Sequence, residues 1–234
     1  MNIFSLLFFG MCLGAIMGCN KNAKQDNISS YKEITLNKYF ELTRENGNLN
    51  SILNEYLKND SSFVEDANTS ILALETEINQ LKGILKQLNE PFLGKLDNNQ
   101  DSNIVRCIYL PSFYASGKCV TIAGVGESYK VITKTFSFVN KDNVMNIELN
   151  DSLVFTISNI VFDQIIKELH KAYFWDITRN VGFGNMDPNV YIVETFLTED
   201  RFWHYPNYHK VTKGDAVENS FSYACNKILS VDNL

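Results

Sequence analysis

The sequence predicts an α+β protein: an N-terminal helical hairpin or short coiled coil, followed by an antiparallel sheet with two packed helices. Three observations lead there. Apolar residues recur at spacings of three and four from Val64 to Leu88, just ahead of Pro91. From Ile104 onward, short runs rich in β-branched and aromatic residues alternate with turn-prone stretches. One amphipathic helix interrupts those runs and a second closes them. That order of strands, helix, hairpin and helix suits an antiparallel layer rather than a doubly wound nucleotide fold.

The first eighteen residues hold no Asp, Glu, Lys or Arg, and Ile3 to Met17 is almost continuously apolar. The run is too short for a bilayer-spanning helix of about 20 residues and fits the core of an export signal. It ends in Ile16-Met17-Gly18-Cys19, which resembles the lipobox of bacterial lipoprotein precursors. The resemblance implies a signal peptide over 1–18, a palmitate-type lipid on Cys19 and membrane attachment through that anchor. Asn20, rather than Asp, favours the outer membrane. A polar tether over 19–29 has nothing to bury.

Residues 30–93 read as helical. Leu49, Ile52, Leu53, Tyr56 and Leu57 share one face of a first helix. In the second, Val64, Ala67, Ile71, Leu74, Ile78, Leu81, Leu85 and Leu88 form a heptad seam. Glu77 and Lys82 stand where an interhelical ion pair would cross, so a homodimer through 64–88 is one reading. Leu72 and Ile84 widen the apolar face, which suits packing within the chain. The intramolecular packing leads.

The α+β domain is expected over 103–234. Strands are predicted at Ile104–Tyr109, Cys119–Ala123, Ser128–Val139 and Met145–Leu149, then a helix from Ser158 to Tyr173. A hairpin follows, with strands at Val190–Leu197 and Phe202–Val211, and a helix at Glu218–Leu229 ends the pattern. Cys107 and Cys119 bracket a predicted strand pair, so a Cys107–Cys119 disulfide is favoured over a bond to Cys225.

Leu110-Pro111-Ser112-Phe113, Phe174-Trp175, Asp187, Glu194, Tyr208-His209 and Cys225, in that order, resemble a family of uncharacterised bacterial exported domains. Pro188 and Tyr191 stand where that family has Gly and Trp. The resemblance implies a fold and a compartment, and no activity.

The formal net charge of −6 argues against a nucleic-acid partner, whose phosphates attract a basic stripe. Gly182-Phe183-Gly184 lacks the third glycine of a dinucleotide loop, and no hydrolase motif or zinc-spaced cysteine pair is present. No cofactor, metal or catalytic residue is therefore expected. Two function classes remain. The first is a lipid-anchored binding module for an envelope protein or a glycan, using the aromatic-rich hairpin with Tyr191, Trp203, Tyr205 and Tyr208. The second is a hydrolase or metal-dependent enzyme, with Glu194 and His209 as cross-strand neighbours and Asp187 nearby. The binding module is favoured, because the aromatic-rich hairpin stands on a domain with no catalytic constellation and Glu194 beside His209 reads better as a structural ion pair than as a site.

Overall fold

The computed structural model describes residues 63–96, 102–111, 116–141, 144–177, 189–202, 205, 208–215 and 220–233. The signal segment, Cys19, the tether, the helix predicted at Leu49–Leu57, Asp187 and Trp203 lie outside them. The elements are α1 (Phe63–Gln87), β1 (Asn103–Leu110), β2 (Gly117–Val125), β3 (Ser128–Lys141), β4 (Val144–Ser158), α2 (Asn159–Lys171), β5 (Asn189–Phe196), β6 (Tyr208–Asp215) and α3 (Ser220–Leu229). The α+β class follows directly. No helix among the described residues is long and apolar enough to cross a membrane.

The strands form one six-stranded antiparallel sheet in the order β4-β3-β2-β1-β5-β6. Four strands meander outward from β1, and α2 then carries the chain back so that the β5–β6 hairpin adds on the other side of β1. The first strand in sequence is therefore an inner strand, covered on both faces. Its near-continuous apolar run reflects that position.

Alternation along the strands sorts side chains to two faces. On one, Val105, Cys107, Val120, Ile122, Tyr129, Val131 and Val193 meet Phe162, Ile165 and Leu169 of α2 and Phe221, Cys225 and Ile228 of α3. On the other, Ile108, Cys119, Phe136 and Ile192 meet Leu81 and Leu85 of α1 and Leu88 just past its end. Each such large apolar side chain contributes roughly 1.5–3 kcal/mol on burial. The C-terminal part of the heptad seam is thus used against the chain's own sheet. There the packing is within the chain and against the sheet; the other helix of the expected hairpin lies outside the described residues.

α1 ends before Pro91 takes effect. Asn89 adopts the left-handed conformation (φ 53°). The Glu90 N–H donates to Leu85 O (2.8 Å) and the Asn89 N–H to Lys86 O (3.2 Å), the paired bonds of a Schellman cap. The Lys134 ammonium adds a bond to the Leu88 carbonyl at 2.6 Å.

β4 is longer than predicted. Asn150-Asp151-Ser152 looks like a turn, but it continues the strand past a bulge opposite Thr135/Phe136. As an edge strand, β4 tolerates polar residues that an inner strand would not. The two-residue turn between β2 and β3 requires Gly126, whose φ is +70°.

The predicted Cys107–Cys119 disulfide is not formed; Cys107, Cys119 and Cys225 are all free and buried. In the β1–β2 register Cys119 faces Ile108, and Cys107 faces Val120. That offset of one residue sends the two side chains to opposite faces of the sheet. Cys107 lies under α3 and Cys119 under α1.

Candidate functional site

Glu194 and His209 do not meet. The chain between β5 and β6 includes a 3-10 turn at Asp200–Phe202, and β6 begins only at Tyr208. In the resulting register Glu194 faces Lys210, and His209 faces Thr195. One residue of slip places Glu194 and His209 on opposite sides of the sheet. The expectation of a carboxylate–imidazole pair is overturned.

Glu194 belongs to a row of polar side chains that crosses β6, β5, β1 and β2 beneath α1. Arg106 and Glu194 are fully buried and ion-paired at 3.0 Å. Arg106 also donates to Glu90 Oε2 (3.3 Å), to the Pro91 carbonyl (2.9 Å) and, through Nε, to Thr121 (3.2 Å). Lys134 closes on Glu90 at 2.5 Å. The Tyr208 hydroxyl donates to Glu194 Oε1 (3.0 Å). Two carboxylates and the cations Arg106 and Lys134 thus satisfy one another and clasp the end of α1 to the sheet. This cluster is closed to solvent and is structural.

His209 is a packing residue. Its Nε2 lies 2.9 Å from the Phe174 carbonyl, which can only accept, so Nε2 carries the proton. Its ring meets Phe174 edge-on at 4.7 Å. Among the described residues no group of three or more His, Cys, Asp or Glu side chains is arranged to hold a metal ion.

The predicted aromatic contact surface is dispersed. Tyr191 is buried, 6 % exposed, under α3. Tyr208 turns to the opposite face to reach Glu194. The reason is that the sheet hides aromatic rings on both faces, not on one. Tyr205 alone of the described members reaches an opening.

That opening is a shallow cleft of about 280 Å³ lined by Asp163, Ile166, Lys167 and His170 of α2 and by Arg201, Phe202 and Tyr205 of the β5–β6 connection. Its walls are held in place. Tyr205 stacks on Trp175 with ring centres 3.7 Å apart, and its hydroxyl shares a 3.1 Å hydrogen bond with His170 Nδ1. Burial pushes the Tyr205 phenol above its ordinary value, so it stays protonated at neutral pH. Arg201 Nη1 donates to both carboxylate oxygens of Asp163, at 2.7 and 2.9 Å, while its Nε and Nη2 donate to Glu199 and the Tyr129 hydroxyl.

Glu199 is the anchor behind this wall. It accepts from Asn103 Nδ2, the Gly126 N–H (3.2 Å) and the Tyr129 hydroxyl (3.0 Å). Burial works to raise its carboxyl, but the bonds from Arg201, Gly126 and Tyr129 outweigh that and hold it below the ordinary value. The connection is thereby tied to β1 and to the β2–β3 turn.

No protein-family model matches the chain, and no curated protein matches it. Function therefore rests on the chemistry of the cleft. Sequence reasoning singled out Tyr205 but missed Asp163, Lys167 and Arg201. Their signal was faint: each is an ordinary charged residue among other polar ones, and only the packing of α2 beside the β5–β6 connection brings them together.

Proposed function

We propose that the chain is a lipid-anchored protein of a bacterial cell envelope, attached through Cys19, whose α+β domain binds a glycan. The anchor half rests on Ile16-Met17-Gly18-Cys19 closing an uncharged apolar run. The binding half rests on one observation: the α2 cleft combines fixed polar groups of several kinds with an aromatic ring held by stacking. A sugar presents hydroxyls that donate and accept together with an apolar C–H face. Asp163 accepts, Lys167 and Arg201 donate, and Tyr205 with His170 does either. The cleft suits one or two sugar residues rather than a deeply enclosed small molecule. Groups held in advance by Trp175, Glu199 and Tyr129 lose little freedom on binding.

The glycan half is tested by titrating the isotope-labelled full-length protein, in mild detergent, with soluble oligosaccharides released from bacterial cell wall. Signals of His170 and Tyr205 should move, and Tyr205→Ala should weaken binding by about tenfold, equivalent to roughly 1.4 kcal/mol. A titration that leaves those signals still ends the glycan reading. The anchor is tested separately. Cys19→Ala should release the protein from the membrane fraction, and mass spectrometry of the mature N-terminus should find acylated Cys19. A free Cys19 thiol on a membrane-bound chain would refute it.

A further inference from the structure

Cys107 on β1 and Cys225 on α3 are both fully buried in one core, where the Cys107 sulfur lies 4.0 Å from the Cys225 carbonyl oxygen. Burial first, and then the adjoining Cys225 thiol, push the Cys107 thiol well above its ordinary value. The remaining described thiol, Cys119, points through the sheet to α1, so β1 and β2 themselves separate it from both. Two buried cysteines on facing layers of one core, 118 residues apart in sequence, with the sulfur of one beside the backbone of the other, form a pair that folding brings together.

We infer that Cys107 and Cys225 are the disulfide-forming pair of this domain, joined when the chain folds in the presence of a disulfide oxidant, with Cys119 left reduced. Bonding draws α3 toward the middle of the sheet, since an S–S bond of about 2.05 Å is shorter than van der Waals contact. The oxidant is a small-molecule or protein disulfide. A thiolate of one cysteine attacks it, forming a mixed disulfide and releasing one thiol. The second cysteine, as thiolate, attacks the protein sulfur of that mixed disulfide and releases the other. The two protons of Cys107 and Cys225 end on the two released thiols, and the oxidant takes both electrons. Once the core is closed, both sulfurs are shielded, and burial holds Cys107 in its thiol form. Exchange therefore belongs to folding, before α3 docks.

The inference is independent of the cleft and of any glycan. Full-length protein is reduced in denaturant, refolded in mild detergent with oxidised and reduced glutathione, alkylated without reduction and cut with trypsin. Cleavage after Arg106, Lys118, Lys130, Lys213 and Lys227 puts Cys107, Cys119 and Cys225 on the separate peptides 107–118, 119–130 and 214–227. The expected result is a link between 107–118 and 214–227, with alkylated Cys119, retained in Cys119→Ser. The oxidised form should melt higher than the reduced form by on the order of 5–10 °C. Three alkylated thiols, or a link that includes peptide 119–130, would overturn the assignment.

Discussion

Arg106 sits in the middle of β1, a buried inner strand of the sheet, where an unpaired guanidinium would be very costly. Glu194 opposite it and Glu90 above it make the position tolerable. Such a pair contributes little over an apolar replacement, but loss of one partner leaves a buried charge. Glu194→Ala should therefore cost about 3–5 kcal/mol in urea unfolding, and Arg106→Met with Glu194→Leu should recover most of it. A single-variant loss under about 1 kcal/mol would show that the pair is hydrated, contrary to its burial. Cys119 gives a second test at this scale. Burial raises its thiol from the ordinary 9.0 to about 12. The unfolded thiol then ionises first, so its contribution is whole below pH 9 and is lost as pH rises toward 12, at up to about 1.4 kcal/mol per pH unit. Stability should fall with alkali over that window, and less steeply in Cys119→Ala. An identical slope in the variant would remove Cys119 as the source.

At the scale of elements, α1 is stopped by Asn89, a non-glycine residue in the left-handed region. Glycine enters that region without the steric cost of about 1–2 kcal/mol that a β-carbon brings, whereas a β-branched residue pays it in full. Asn89→Gly should leave stability equal or raise it by up to about 1 kcal/mol, and Asn89→Val should lower it by about 1–2 kcal/mol. Thermal melts of the two variants decide this, and equal melting points would mean that the cap does not constrain the chain. Strand boundaries show where local reading stops. Asn150-Asp151-Ser152 is turn-like in isolation, and its place on an edge strand makes it strand. Phe202 looks like the start of β6, but the chain first makes a 3-10 turn there, and that moves the hairpin register by one residue.

For the molecule as a whole, sandwiching of one sheet between α1 and the α2–α3 layer should set the order of local opening. Amide exchange should be slowest on β1, which is hydrogen-bonded on both sides and covered on both faces. The outer N–H groups of β4 should exchange fastest, with Ile147 as the exception, since Gln87 of α1 accepts its N–H at 2.7 Å. Equal protection of β1 and β4 would argue against this layering. The same arrangement bears on self-association. Leu81, Leu85 and Leu88 are covered by the sheet, so a dimer along 64–88 would require α1 to leave it.

Periodicity and punctuation in the sequence were enough for the α+β class, for the helices at 63–87, 159–171 and 220–229, and for most strands, because those features act over a few neighbouring residues. The proposal of export and lipidation at Cys19 likewise draws on a short local run of composition. Face and partner were not legible. Whether Cys107 meets Cys119 or Cys225, and whether Glu194 meets His209 or Arg106, turns on strand register, and a slip of one residue reverses every side chain. The cleft goes further beyond local reading. Asp163 and Arg201 are 38 residues apart and touch because α2 packs beside the β5–β6 connection. Contacts of that kind are set by how layers stack, an energy summed over the whole core, and no stretch of sequence carries it.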